Sequence, residues 1–305
     1  MSTTELTESA YDRKIHRLVE LSADGYDAYD DIDWDTDLDP EDPRLRAFSF
    51  DPLVRTRWYQ ALPQARQSEV GLLRVATSLR IGWEFENLLQ QGLLSRAFGM
   101  RNTNASFRYL HTEVMEESQH TLMMYEFVRR HAPHARGMAG MLRTIADPAV
   151  YAIVRKMPTL FYFLVLGGEV PIDYIQRRVI KEEHVHPLVK RIMEIHVEEE
   201  ARHVAFAGGE IRRRAPELGR LERRALALAV PAVLGLMAPL MVNPSPWLVH
   251  HYDIPRKDLA QALAHPDSRA VLAQSVARIR TVCKQQGLLT REAVVVWKRV
   301  GLWAD

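Results

Sequence analysis

His196-Val197-Glu198-Glu199-Glu200-Ala201-Arg202-His203 is the stretch on which the reading of this chain turns. At 3.6 residues per turn His196, Glu200 and His203 fall within about 60° of arc on one helix face. A carboxylate and an imidazole three apart can reach one metal ion. The same Glu-x-x-His stands earlier in the chain as Glu117-Ser118-Gln119-His120. One such motif arises by chance in an acid-rich helix. Two at matching places ask for a common cause.

Working outward, Glu169 precedes Glu200 by 31 residues and Glu86 precedes Glu117 by the same 31. Helices are predicted over 68–98, 106–131, 159–181 and 188–214, from Ala, Leu, Arg and Glu content and the lack of β-branched alternation. Short polar turns, 99–104 and 182–187, join them in antiparallel pairs, and 132–158 is long enough to cross between pairs. Each of Glu86, Glu117, Glu169 and Glu200 lies 13 residues from its turn, about 20 Å at 1.5 Å per residue, so all four stand at one height. The expected fold is all-α, a ferritin-like four-helix bundle core with additional peripheral helices. Three regions are expected: an acidic N-terminal extension over 1–65 packing on the core, the bundle with its crossover and an apolar helix over 66–242, and a C-terminal helical extension over 243–305.

Glu169 interrupts the apolar run 160–168 and is followed by Val170-Pro171-Ile172. An unpartnered carboxylate there would cost several kcal/mol. A dication shared by four carboxylates is one partner, and oxygen with imidazole donors and no thiolate suits iron or manganese better than structural zinc. A lone His on an apolar face is usually a packed core residue, but His196 shares the proposed metal face and joins the candidates. Glu84 rivals Glu86. Two residues apart means about 200° apart, and Leu72, Leu79, Trp83, Leu89 and Leu93 share the Glu86 face. Glu113 and Asp173, each four residues from a candidate, either accept hydrogen bonds from the imidazole N–H groups or are surface acids. Tyr109, Tyr162, Phe163 and Arg202 lie near these helices, as core or as pocket lining.

The rest of the chain bounds the function. Its 305 residues are 47% hydrophobic and 26% charged, ordinary for a globular protein, and a net charge of +1 gives no argument for nucleic acid or an anionic membrane. The lone Cys283 excludes an intrachain disulfide and reads as a small buried hydrophobe. The start, MSTTELTESAYDRK, carries charge where a signal peptide needs an apolar core, so a cytoplasmic location is expected. Residues 225–242 are uncharged over eighteen positions but hold Pro231, Gly235 and Pro239; a buried core or subunit-interface helix is expected rather than a membrane span. Asp31-x-Asp33-x-Asp35 lacks the Gly and Glu of a calcium loop. No phosphate loop or dinucleotide fingerprint is found, so redox electrons must come from an external donor or reductase.

Taken together, Glu86, Glu116-Glu117-Ser118-Gln119-His120, Glu169 and the His196–His203 stretch resemble the diiron amine N-oxygenases typified by p-aminobenzoate N-oxygenase (AurF). The third histidine is the specific part, and Glu116 stands where that family often has Asp. The resemblance covers roughly residues 60–240. It implies Glu86, Glu117, His120, Glu169, His196, Glu200 and His203 as metal ligands, with no separate acid or base assigned. It further implies two iron ions cycling between ferrous and ferric; manganese, which the donor set also suits, stays the alternative metal. Dioxygen is then the co-substrate and a small-molecule amine the partner, taken to hydroxylamine, nitroso or nitro. A homodimer is expected, with neither nucleic acid nor membrane. The competing readings are another diiron enzyme on the same bundle (hydroxylase, desaturase or manganese catalase) and a non-enzymatic iron-binding helical protein.

Overall fold

The computed structural model describes residues 9–101 and 103–303; residues 1–8, part of the start whose charge argues against export, lie outside them. Thirteen α-helices and no strand are found among the described residues. In chain order they are α1 (Ala10–Leu21), α2 (Arg57–Gln60), α3 (Gln64–Ala97), α4 (Ser106–His131), α5 (Gly140–Lys156), α6 (Pro158–Val179) and α7 (Pro187–Arg214). After these come α8 (Arg220–Val242), α9 (Pro246–His251), α10 (Arg256–Ala264), α11 (Pro266–Ser275), α12 (Ala277–Gln285) and α13 (Arg291–Arg299). The fold is the all-α, ferritin-like bundle with peripheral helices.

Helix α3 pairs with α4 and α6 with α7 to make the bundle, and α5 fills the crossover. Prolines mark the entries: Pro158 and Pro187 stand at the first helical positions, where a missing N–H costs nothing. Helix α3 begins at Gln64, four residues before the predicted start, with Pro63 as its N-cap. Its first turn, Gln64-Ala65-Arg66-Gln67, carries no apolar periodicity from which to read it.

Two apolar cores result. One holds Leu93, Tyr109, Phe161, Phe163, Phe206 and Trp297, and joins α8, α12 and α13 to the bundle. The other holds Trp34, Leu53, Tyr59, Leu79, Phe127 and Ile192, and fastens the N-terminal strap, residues 22–60, to the opposite end. Aspartates in the strap are spent on turns and caps. Asp42 and Asp51 accept from the Arg44 and Leu53 amides at 2.8 and 2.9 Å, and Asp51 also pairs with buried Arg74 at 2.9 Å. The strap lies directly on α3 at Gly71, where a Cβ would fall 2.0 Å from the Leu45 carbonyl.

Helix α8 is the one helix among the described residues long and apolar enough to cross a bilayer. It packs on α6 and α13, burying Leu226, Val230, Leu234 and Ala238. Gly167 permits the approach, since a Cβ there would meet the Leu234 side chain at 2.8 Å. Cys283 is buried, and its thiol is pushed up to about 12 by that burial.

Candidate metal centre

Each of the four bundle helices brings one carboxylate to the axis. Glu86 of α3, Glu117 of α4, Glu169 of α6 and Glu200 of α7 each place an oxygen within 4.8 Å of the others. None is more than 3% exposed. Two further groups overlap this one: Glu86 and Glu200 with His120 and His196, and Glu117 with Glu113 and His203. The result is a pair of adjoining positions, each ringed by acidic oxygens and imidazole nitrogen.

The imidazoles are aimed by acids behind them. His120 donates through Nε2 to Glu199 Oε2 at 2.9 Å, which turns Nδ1 toward Glu200 Oε1 at 3.2 Å. His203 donates through Nε2 to Glu116 Oε2 at 2.7 Å, turning Nδ1 toward Glu117 and Glu200 at 2.9 and 3.1 Å. A carboxylate only accepts, so Nε2 carries a proton and Nδ1 is the nitrogen turned to the centre. Burial opposes protonation there, but the surrounding carboxylates raise both His120 and His203 well above the usual imidazole value, and a bound ion would take the place of the Nδ1 proton. Arg202 ties the two acids together at 2.6 Å to Glu116 and 3.2 Å to Glu199. The Tyr26 amide from the strap donates to the other Glu199 oxygen at 3.2 Å. His196 presents Nε2 instead, 3.2 Å from Glu86.

Electrostatics divide the acids. Burial, with Glu117 alongside, pushes Glu86 well above the usual carboxylate range; burial, with Glu200 alongside, does the same to Glu169, and burial raises Glu113. Glu117 and Glu200 go the other way. Burial opposes their ionisation, but His203 and His120 beside them draw Glu117 to about 2 and Glu200 well below the usual range. Burial and neighbouring His120 draw His196 down to about 4, so it is neutral at pH 7 with nitrogen available to a metal.

Among the described residues, Glu86 Oε2, both oxygens of Glu113 and of Glu117, Glu200 Oε2 and the Nδ1 atoms of His120 and His196 have no hydrogen-bond partner. Glu117 Oε1 does lie at ion-pair distance from His203 Nδ1, without hydrogen-bond geometry. Orphaned buried acceptors in this number cost more than a stable fold tolerates unless a cation completes them. The set therefore fits divalent ions: hard oxygens and imidazoles, no thiolate, shared carboxylates between two positions.

Glu84 lies apart from the group. It accepts from the Met138 amide at 2.6 Å and pairs with Arg80 and Arg143 at 3.1 and 3.5 Å. Asp173 gives its oxygens to Arg177 and Arg278 at 2.7 and 3.2 Å, not to an imidazole, because two cations reach it first. Glu113 faces inward rather than behind an imidazole. The acids that do stand behind the imidazoles, Glu116 and Glu199, look like ordinary surface acids in sequence; their positions beside the two motifs are the only signal. Tyr109 and Tyr162 pack against Phe206 at ring distances of 4.4 and 5.9 Å, and Phe163 joins that core.

An apolar cavity of about 260 Å³ adjoins the centre between α3, α5, α6 and α8, with Glu169 in its wall. Sequence reasoning missed it, because its lining comes from four separated segments with no shared period.

The sequence matches the family described as P-aminobenzoate N-oxygenase AurF over residues 8–287. It is 36% identical to an uncharacterized protein of Mycobacterium tuberculosis over 278 residues, 90% of this chain and 82% of that one. An uncharacterized protein of Mycobacterium bovis is 35% identical over the same extent.

Proposed function

This chain belongs to the p-aminobenzoate N-oxygenase (AurF) family, and from that premise we propose that it is a non-haem diiron oxygenase that uses dioxygen to N-oxygenate an amine. The observation that carries the reading is the third imidazole: His196 sits in the group with Glu86, Glu200 and His120. Glu86, Glu117, His120, Glu169, His196, Glu200 and His203 would hold two iron ions. Glu113, four residues before Glu117 with both oxygens unpartnered, would add a carboxylate on the His203 side. When bound, the ions supply reduction of dioxygen and transfer of oxygen to nitrogen.

The chain's own residues do the rest. Glu116, Glu199 and Arg202 keep the inner nitrogens of His203 and His120 pointed at the centre. Helices α5 and α8 keep bulk water from the Glu169 side, and the adjoining cavity gives an amine a place to wait. Electrons come from an external donor or reductase. Hydroxylamine is the first product, with nitroso and nitro following on further turnover.

The test is anaerobic loading with ferrous ion, metal analysis, then dioxygen with a panel of amines read by mass spectrometry. N-oxygenated product is expected. Oxidation at carbon only, or peroxide dismutation only, moves the protein to another diiron or manganese chemistry; metal uptake without turnover leaves an iron-binding protein. His196→Ala is expected to keep the fold and most of the iron but change the visible spectrum of the oxygenated centre and suppress amine oxidation. If His196 merely packs, the same variant loses about 1–3 kcal/mol of stability and keeps spectrum and turnover.

A further inference from the structure

Every residue lining the 260 Å³ cavity is an aliphatic, Met, Phe, Ala or Gly residue except Glu169. Glu169 is also one of the four carboxylates of the centre. A second, small cavity of about 20 Å³ touches Glu86, Glu169 and His196, and shares Phe85, Gly168 and Glu169 with the large one. Phe85 and the Gly168–Glu169 segment of α6 are thus the partition between apolar space and the metal centre. A molecule with its body in the large cavity has its polar end at that partition.

Building on the N-oxygenation reading above, we propose that the substrates are anilines carrying an uncharged apolar body, such as an alkyl chain or a second ring, and that carboxylated arylamines are excluded. Size supports the first half. A cavity of about 150 Å³ lined by apolar side chains holds a benzene, so 260 Å³ holds a ring with a short chain. The wall also continues outward: Leu236 of α8, which lines the cavity, is 69% exposed, and Met141 and Ile145 of α5 stand exposed as well. A longer tail therefore leaves along apolar surface. An aniline nitrogen is uncharged at neutral pH, so it reaches Glu169 without an ammonium to desolvate.

Charge supports the second half. A carboxylate para to the nitrogen would be carried into the cavity with no cation among its lining residues. Arg80 and Arg143, on the helices flanking Met138, are already held by Glu84. Burial of an unpaired anion is disfavoured by orders of magnitude in binding.

The test is equilibrium dialysis of the iron-loaded protein, kept anaerobic, against para-butylaniline and para-aminobenzoate, so that binding is read apart from turnover. Para-butylaniline is expected to bind on the order of 100-fold more tightly. Ala149→Phe should abolish that binding with helix content and iron content unchanged, because Ala149 lines the cavity from α5, a helix that carries none of the carboxylates or imidazoles of the centre. Ala146→Arg, which places a cation in the lining, should raise para-aminobenzoate binding about 10-fold or more. Equal or tighter binding of para-aminobenzoate to the unaltered protein overturns the proposal, as does para-butylaniline binding that Ala149→Phe leaves intact. Tight binding of para-butylaniline without any N-oxygenated product on adding dioxygen and reductant would instead overturn the reaction of the preceding section and leave the pocket assignment standing.

Discussion

Glu200 and Glu210 lie ten residues apart on α7, and both are buried, at 0% and 1% exposure. Their surroundings could hardly differ more. Glu210 accepts from Arg213 at 2.9 and 3.1 Å, from Arg214 at 2.7 Å and from the Tyr11 hydroxyl. Glu200 has one oxygen near His203 and the other without a hydrogen-bond partner, in a ring of Glu86, Glu117 and Glu169. Burial alone does not mark a metal site. What marks it is burial of more negative charge than the fold's own cations can satisfy, and here two clusters on one helix separate the cases.

Breaking each cluster in turn sharpens the contrast. Glu200→Ala should have the largest effect, lowering iron from about two ions per chain to below about half an ion, as measured by elemental analysis after loading. Glu210→Gln should leave that stoichiometry unchanged. Loss of metal from the Glu210 variant would mean the two clusters are coupled, and the distinction drawn here would fail.

Next in size, Glu116→Gln and Glu199→Gln should each weaken ferrous ion binding about 10- to 100-fold in a chelator competition. Each removes the acid behind an imidazole, not a group facing the centre. Unchanged affinity in both would show that the inner carboxylates orient the rings unaided.

Glu210→Gln should instead cost stability, about 2 kcal/mol at pH 7 by urea denaturation. Burial alone would raise the Glu210 carboxyl, but Arg213, Tyr11 and Arg214 overcome it and hold it at about 2, below its ordinary value of 4.5. A depressed carboxyl stabilises the fold fully above the unfolded value and loses that contribution as pH falls from about 4.5 towards 2. The wild type should therefore lose stability in that window more steeply than Glu210→Gln. Parallel curves would refute the assignment.

Asp173→Asn should do least. Asp173 is paired to Arg177 and Arg278, which are about half exposed, so the change should stay within about 1 kcal/mol with iron content untouched. A spectral change at the centre would restore Asp173 to a role behind an imidazole.

The same contrast explains what could be read from the chain. Repeated spacing and short polar turns are local signals, so the bundle, its pairing and the convergence of Glu86, Glu117, Glu169 and Glu200 at one height were legible. Which acids stand behind the rings was not. Glu116 and Glu199 differ from solvated neighbours only through Arg202 and the strap, contacts made across up to 173 residues. Glu113 and Asp173 occupy equivalent places, four residues from a motif glutamate. They are told apart by Arg177, four residues on in α6, and by Arg278, which arrives from α12. The cavity was illegible for the same reason: no segment of sequence contains enough of it.

The strap's hydrogen bond to Glu199 carries a consequence of timing. Tyr26 is synthesised 173 residues before the carboxylate it will hold. During translation the strap can settle on α3 and α4 as they emerge, but its Tyr26 contact stays unmade until α7 follows, since Glu199 stands on the last helix of the bundle. The Glu199 side of His120 is therefore the last face of the centre to be closed. Until that closure a nascent bundle leaves its acids open on that side, and an ion available in that interval would meet the least obstructed centre.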